Sequence, residues 1–303
     1  MALHPYLSDN MIEQQPSGST ADWLTDRALR GLIGAAMRIP YEKRVVFMGA
    51  VLKRGIGPLV GYRRRAEANL AIIYPQMSAT RRRYVADGVC DNFGRTLIEN
   101  YSWKEFGKRL CGTHPTGEGL NVVAKAKTDR RPVIFVTGHF GNHEAPRHVL
   151  SHLGYDVGGL YRPMTNAYFN DHYAKTMTDW GGPVFAQGKR GTIGFARHLK
   201  GGGMGTLLFD VAISSGKPVN FLGHPANTAT SAADLALKFD ALVVPYFGKR
   251  AADGLSFDVT IQAPITAGPA EQMMQEMTDR LAAMVNDSPE QWFWVHRRWK
   301  MRL

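Results

Sequence analysis

The feature that most constrains the fold of this chain is an alternation of short apolar runs with helical stretches after Arg131. The first run, residues 133–136, reads as a buried strand, and a glycine turn and a helix beginning near Pro146 follow it. Parallel strands need a crossover between them, so strands that alternate with helices favour an α/β layer fold. We therefore expect a largely parallel central sheet flanked by helices, with the active site at the carboxyl ends of its strands.

The other elements of this region are predicted from runs of the same kinds. Further strands are expected at residues 158–161, 184–185, 206–209, 219–221, 242–247 and 257–261. Helices are expected at residues 168–179, 192–200, 229–239 and 270–286. Together these elements define a catalytic α/β region over residues 131–303.

The part of the chain before Arg131 has a different character. Residues 1–21 are polar and predict a mobile leader, and residues 22–130 have helical apolar spacing. From Trp23 to about Tyr62, apolar residues are interleaved with basic ones, which is typical of helices in the headgroup region of a membrane. The same pattern also suits an amphipathic helix packed on its own domain. No apolar run approaches the roughly 20 residues that a spanning helix needs, and no secretory signal is expected.

The charge of the chain points to anionic partners. The chain has 37 Lys and Arg against 26 Asp and Glu, a formal net charge of +11. The basic residues occur in twos and threes without a nucleic-acid-binding signature, so no nucleic-acid partner is expected. The only cysteines, Cys90 and Cys111, form neither a disulfide framework nor a zinc spacing, which favours a reducing environment on the cytoplasmic side.

The segment from Gly138 to Glu144 is the strongest candidate for chemistry. His139 and Glu144 would point about 140° apart on a continuous helix, so they can cooperate only across a turn, which Gly138 and Gly141 supply. A histidine at the end of a buried strand, with a carboxylate to hold its tautomer, is suited to removing a proton from an alcohol. In the structural alternative, His139 is a turn residue and Glu144 stabilises a helix start.

A metal-dependent hydrolase is the chemical alternative. The segment brings together residue types that bind zinc, namely His139, His143, Glu144 and His148. Gly141 and Pro146 interrupt the helix that a His-Glu-x-x-His site requires. We therefore expect neither a metal nor another cofactor.

The same segment resembles the His-x-x-x-x-Glu motif, usually His-Phe-Gly-Asn-Trp-Glu, of the lauroyl-type late acyltransferases of lipid A biosynthesis. The resemblance runs in order from about Trp23 to Lys300. Two positions depart from the family pattern: His143 replaces the usual tryptophan, and Asp210-Val211-Ala212 replaces an Asp-x-Asp. The other matching segments are Leu160-Tyr161-Arg162-Pro163, Asp210 after an apolar strand, Phe221-Leu222-Gly223, Thr228-Ala229-Thr230 and residues 289–300.

The resemblance implies a glycerolipid acyltransferase-like fold and a peripheral enzyme at the cytoplasmic face of the inner membrane. It implies acyl carrier protein as the thioester donor and an anionic glycolipid, a Kdo-bearing lipid A precursor, as the acceptor. His139 would be the general base and Glu144 its orienting acid, with Asp210 as a possible second acid and a chemical role for His143 left open. The acceptor could instead be another lysolipid, such as an amino-acid lipid or a glycosylated phospholipid.

Several further residues are predicted to bind substrate under this interpretation. Backbone N–H groups at Gly141 and Asn142 are candidates for holding the oxyanion. Three arginines, any of which can instead be a solvated surface charge, are candidates for binding acceptor phosphates or the carrier: Arg162, Arg190 and Arg250. The aromatic and basic residues 292–302 suit either anchoring in headgroups or packing into the domain.

Overall fold

The computed structural model describes residues 18–299 except Trp180. Residues 1–17 of the predicted leader and the last residues of the predicted C-terminal anchor lie outside this range. Before the first strand, the described chain is helical. Its helices are α1 (Thr20–Ala36), α2 (Tyr41–Val51), α3 (Gly57–Leu59), α4 (Tyr62–Ile73), α5 (Ala79–Tyr101), α6 (Trp103–Leu110) and α7 (Gly119–Asp129), with a π-helical segment at Leu52–Ile56.

The rest of the chain alternates strands and helices. The strands are β1 (Val133–Thr137), β2 (Val157–Tyr161), β3 (Val184–Ala186), β4 (Met204–Leu208), β5 (Lys217–Phe221), β6 (His224–Thr228), β7 (Leu242–Arg250) and β8 (Phe257–Ile261). The helices are α8 (Ala145–His152), α9 (Ala167–Thr178), α10 (Lys189–Lys200), α11 (Ser231–Phe239) and α12 (Ala270–Asp287), and a 3₁₀ turn follows at Pro289–Gln291.

The central sheet has the order β3-β2-β4-β1-β7-β8 within the described residues. Strands β3, β2, β4, β1 and β7 run parallel, and only β8 runs antiparallel to its neighbour β7. The predicted α/β class with a largely parallel sheet flanked by helices is therefore confirmed. The helix expected near Pro146 is also present, with Pro146 in its first turn.

One predicted strand lies outside the central sheet. Residues 219–221 belong to β5, which pairs antiparallel with β6 in a separate hairpin. The two strands are joined through Leu222 and Gly223, both at positive φ (53° and 84°), as a tight hairpin turn requires. Strand β6 was not predicted from the sequence, because its segment His-Pro-Ala-Asn-Thr has no apolar alternation.

Helices cover both faces of the central sheet. Val133 and Phe135 point to the face covered by α7 and α8, where they pack with Val123 and Leu150. Ile134 and its neighbours on the opposite face pack against α10, α11 and α12. This two-sided burial explains why the strands are continuous apolar runs rather than alternating ones.

The N-terminal helices share cores with the sheet region. Leu70 of α4 and Val85 of α5 belong to the same buried cluster as Ile134 of β1. A second cluster joins Val45 of α2 to Val149 of α8. The boundary predicted near residue 130 therefore marks a change of secondary structure inside continuous packing.

No single helix of the described chain is long and apolar enough to cross a bilayer. One pair of consecutive helical segments, Tyr41–Leu59 and Tyr62–Ile73, is long and apolar enough when the two are taken together, but the chain bends by 83° between them.

Candidate active site

The loop after β1 is built around a glycine that no other residue can replace without strain. Gly141 has φ +55°, and a Cβ added there would lie 1.9 Å from the carbonyl oxygen of Gly248. The backbone N–H of Gly141 donates to Gln291 O (2.9 Å), and that of Asn142 donates to Gly248 O (3.1 Å). The loop is thereby fixed between β7 and the C-terminal segment.

A buried polar cluster supports this loop from α5. The side-chain amide of Asn142 donates to Glu99 Oε2 (2.9 Å), and the guanidinium of Arg250 forms a two-pronged pair with the same carboxylate. Arg250 also donates from Nε to Asn92 Oδ1 (2.9 Å). Because Glu99 and Arg250 are both buried, removing either would leave the other uncompensated.

These contacts correct three of the predicted binding roles. The N–H groups of Gly141 and Asn142 already donate to backbone carbonyls, so they are not available to an oxyanion. Arg250 is buried in its pair with Glu99 and does not reach out to a phosphate. All three residues instead fix the position of the loop that carries His139.

His139 and Asp210 meet because their strands are neighbours. β1 and β4 run parallel with Thr137 opposite Leu208, so the residues two positions beyond each strand end also lie opposite each other. Nδ1 of His139 is 2.8 Å from Oδ1 of Asp210, and the backbone N–H of His139 donates to Oδ2 (2.7 Å). The indole N–H of Trp292 donates to the same Oδ2 (2.9 Å).

The hydrogen bonds around Asp210 define its charge and the tautomer of His139. Burial on its own would raise the pKa of this carboxyl, but the charge and hydrogen bonds of His139 outweigh it, and the pKa lies well below its ordinary value. An ionised carboxylate only accepts, so the proton of His139 sits on Nδ1. Nε2 then carries the free lone pair that a general base needs, and the side chain is 31% exposed.

Glu144 lies elsewhere on the cavity wall. Its carboxylate is 3.9 Å from Nε2 of His143 and 3.5 Å from Nη1 of Arg147. Of the two acids left open as the partner of His139, Asp210 is the one whose carboxylate accepts a hydrogen bond from the His139 ring among the described residues. Burial lowers the pKa of His143 to about 4, so this ring is neutral near pH 7.

His296, which was not among the residues predicted from the sequence, contacts the His139 ring. The centroids of the two rings are 4.5 Å apart and their planes are nearly perpendicular. Burial, followed by the charge of His139, lowers the pKa of His296 to about 4. The only signal in the sequence was its place in the matched segment 289–300, because no strand or helix pattern leads from residue 139 to residue 296.

The zinc-type set proposed as an alternative is not assembled. His148 packs against the ring of Phe106 (5.0 Å), and burial lowers its pKa to about 3. A different set converges: ligand atoms of His139, Asp210 and His296 lie within 4.8 Å of one another. Both oxygens of Asp210 already accept hydrogen bonds, which is the arrangement of an orienting carboxylate rather than of an open metal ligand.

His139 opens into a cavity of about 450 Å³. The cavity extends around the carboxyl ends of β2 and β4 and touches both faces of the sheet. On the α8 face its wall contains Glu144, Arg147 and Thr206. On the α11 face the wall is mostly apolar and includes Leu160, Leu207, Phe209, Val211, Ile213 and Ala232.

The remaining predicted residues lie around this cavity. Arg162 is exposed just beyond β2 and lines the cavity. Arg190 is exposed in the first turn of α10 and is not among the lining residues. In the C-terminal segment, Trp292, Trp294 and Trp299 are buried in the core. Of the two roles considered for residues 292–302, these three rings therefore pack into the domain and are not exposed to headgroups.

Comparison with known proteins identifies the family of the chain. The profile of the family described as bacterial lipid A biosynthesis acyltransferase matches residues 23–301. The chain is 24% identical over 294 residues to the lipid A biosynthesis lauroyltransferase of Escherichia coli (strain K12), with 92% of each chain covered.

Two further relatives have similar names. The chain is 21% identical over 287 residues to lipid A biosynthesis acyltransferase 2 of Shigella flexneri, with 92% of this chain and 90% of the relative covered. It is 21% identical over 247 residues to the lipid A biosynthesis myristoyltransferase of Escherichia coli (strain K12), with 79% and 76% covered. Because the family profile spans nearly the whole chain, this protein belongs to the bacterial lipid A biosynthesis acyltransferase family.

Proposed function

We propose that this chain transfers a fatty acyl group from an acyl carrier protein thioester to a hydroxyl group of a lipid A precursor. The observation that carries the proposal is the His139–Asp210 hydrogen bond at the wall of a cavity with a large apolar surface. An imidazole with a free Nε2 removes a proton from an alcohol, and an apolar wall accommodates a hydrocarbon chain.

In the proposed mechanism, Nε2 of His139 takes the proton of the acceptor hydroxyl as its oxygen attacks the thioester carbonyl. Asp210 holds the ring in the required tautomer and stabilises the imidazolium that forms. The intermediate then expels the carrier thiolate, which takes the proton from His139. No thiol nucleophile is used, because neither Cys90 nor Cys111 lines the cavity, and burial raises the pKa of Cys90 to about 11.

The two walls of the cavity suggest how the substrates divide it. The apolar wall on the α11 face suits the acyl chain of the donor. Arg162, exposed at the end of β2, suits a phosphate of the acceptor or the acidic surface of the carrier, because a guanidinium binds two oxygens at once. Arg190 suits the same anionic partners from α10, further from the reacting atoms.

We also propose that the enzyme is peripheral at the cytoplasmic face of the inner membrane and docks through its N-terminal helices. Large apolar side chains are exposed on these helices, and so are basic residues such as Lys43 and Arg54. The apolar side chains suit the acyl region of the lipids and the basic ones suit their phosphates. These apolar side chains are Trp23, Leu24, Val46, Phe47, Leu59 and Val60.

The deciding experiment supplies purified enzyme with acyl carrier protein loaded with labelled fatty acid and a panel of acceptors. The panel contains a lipid A precursor, an amino-acid lysolipid and a glycosylated phospholipid. Transfer to the lipid A precursor, with a loss on the order of 100-fold or more in His139→Ala, supports the proposal. Transfer to another acceptor alone would change the assigned substrate, and equal turnover by His139→Ala would remove the assigned base.

The membrane proposal is tested separately by flotation with anionic vesicles. The double variant Phe47→Ser, Leu59→Ser removes two exposed apolar side chains. Vesicle binding should weaken about 10-fold or more, because the apolar area that these side chains would bury in lipid is lost. Val122→Ser, an exposed apolar residue on α7, is the matched control. Equal flotation of wild type and the double variant would contradict docking through this surface.

A further inference from the structure

Acyl transfer creates a negative charge on the carbonyl oxygen, and most donors around the cavity are already engaged. The backbone N–H groups of Gly141 and Asn142 donate to Gln291 O and Gly248 O. Three of the side-chain amides that line the cavity also donate within the protein: Asn92 to Gly141 O, Asn100 to the Tyr173 hydroxyl and Gln291 to Arg250 O. The oxyanion therefore needs another donor close to His139.

The ring of His296 meets this requirement. It lines the cavity, and its centroid is 4.5 Å from that of His139. Among the described residues, Nε2 of His296 is buried and has no hydrogen-bond partner. A buried polar atom without a partner is costly unless the site has a use for it.

The position of His296 is fixed before substrate arrives. Its backbone carbonyl oxygen accepts from the side-chain amide of Asn69 (3.0 Å), and its backbone N–H donates to Phe293 O (3.2 Å). Its ring packs against the Phe293 ring, with the centroids 4.9 Å apart. A donor held in this way needs little reorganisation during the reaction. A neutral imidazole also supplies one N–H without placing a second positive charge beside His139.

We propose that the His296 ring donates a hydrogen bond to the oxyanion of the tetrahedral intermediate formed beside His139. This inference rests on the proposed acyl transfer. As the new O–C bond forms, the proton of the attacking hydroxyl moves to His139 Nε2 and the π electron pair of the carbonyl moves onto its oxygen, where His296 donates. Collapse of the intermediate returns that pair, breaks the C–S bond and gives the thiolate the proton from His139.

His143 is the other imidazole near the base, and its surroundings differ. Its ring centroid is 5.5 Å from that of His139, a full ångström further than that of His296. Its Nε2 faces the carboxylate of Glu144 at 3.9 Å, so its N–H has an acceptor nearby. His143 variants therefore serve to compare the two rings directly.

The test uses three variants at one position. His296→Phe keeps an aromatic ring against Phe293 but has no N–H, His296→Gln keeps a donor, and His296→Ala removes both features. Lauroyl, myristoyl and palmitoyl thioesters of acyl carrier protein are assayed for transfer to the lipid A precursor and for slow hydrolysis without acceptor. Hydrolysis forms the same oxyanion with water as nucleophile, so it reports the donor independently of the acceptor. His114→Gln, an exposed histidine, is the matched control.

A donor role predicts that kcat falls on the order of 10²–10³-fold in the Phe and Ala variants, in both assays, with KM little changed. His296→Gln should stay within about 10-fold of wild type. Wild-type rates in a folded His296→Phe would show that the ring only packs, and a larger loss in His143→Phe than in His296→Phe would move the role to His143. Stoichiometric zinc in wild type that disappears in His296→Gln would replace the donor with a metal site.

These outcomes are separable from failure of the proposed function. If wild type neither hydrolyses the thioester nor acylates any acceptor, the proposed function fails and the His296 inference fails with it. If wild type is active and His296→Phe equals it, only the inference about His296 is overturned. Thermal unfolding of each variant distinguishes loss of the donor from loss of the fold.

Discussion

Replacing Asp210 by asparagine tests the arrangement on which the proposed mechanism depends. The carboxylate accepts three hydrogen bonds, from Nδ1 of His139, from the backbone N–H of His139 and from the indole N–H of Trp292, all between 2.7 and 2.9 Å. An amide has one oxygen and one NH₂. If the oxygen keeps the two donors at the Oδ2 position, the NH₂ group faces Nδ1 of His139.

The consequence is a change of tautomer. A donor facing Nδ1 stabilises the imidazole form with its proton on Nε2, so the base points an N–H at the acceptor hydroxyl. The imidazolium also loses its neighbouring charge. We expect kcat to fall on the order of 10³–10⁴-fold, equivalent to about 4–5 kcal/mol of transition-state stabilisation.

The assay is the initial rate of acyl transfer at saturating donor and acceptor, with thermal unfolding as the control for folding. Glu144→Gln is the comparison, because it changes a carboxylate of the same loop that makes its closest contacts with His143 and Arg147. Its kcat should fall less than that of Asp210→Asn. A folded Asp210→Asn protein within about 10-fold of wild-type kcat would falsify the assignment of Asp210 as the orienting acid.

Three further predictions concern stability. Gly141→Ala should lower the free energy of unfolding by about 3 kcal/mol or more, because it adds a clash with Gly248 O to the strain of positive φ. Gly112→Ala, where φ is positive but the space is open, should lower it by about 1 kcal/mol. Urea unfolding of the two variants provides the comparison. Arg250→Ala should lower the free energy of unfolding by about 3–5 kcal/mol, because it leaves Glu99 charged and unpaired. A KM for acceptors equal to that of wild type would agree with a structural role for Arg250. As pH falls from 6.5 towards 4, histidines of the unfolded state take up protons, whereas the buried neutral histidines of the folded state do not. The free energy of unfolding, measured with urea at each pH, should therefore fall by up to about 1.4 kcal/mol per pH unit for each ring; a flat profile would contradict the neutral assignment of His143, His148 and His296.

The sheet could be predicted from the sequence because each strand carries its own signal. Residues 133–136 and 242–247 are apolar on both faces, since helices cover both sides of the sheet, and such runs are recognisable without any partner. Strand β6 gave no such signal, because it depends on a turn at Leu222 and Gly223 and on pairing with β5. A strand that forms because of its pairing partner cannot be predicted from its own composition.

The site could be predicted only as far as local spacing reaches. His139 was proposed because it follows a buried strand, whereas the acid that contacts it depends on which strand lies next to β1. Glu144 is close in sequence, but β4 is the neighbour, and its register brings Asp210 to the ring across 71 positions. The oxyanion prediction failed for a related reason: the donors at Gly141 and Asn142 are used by Gln291 and Gly248, contacts between segments far apart in the chain.

The indole of Trp292 and the ring of His296 both come from the segment after α12, although His139 and Asp210 are fixed by strands in the middle of the chain. A nascent chain that has emerged only as far as Asp287 would contain every strand of the sheet. It would nevertheless lack the indole that donates to Asp210 Oδ2 and the imidazole beside His139. Assembly of the proposed catalytic centre would then lag behind folding of the sheet, because it would wait for the segment that follows α12.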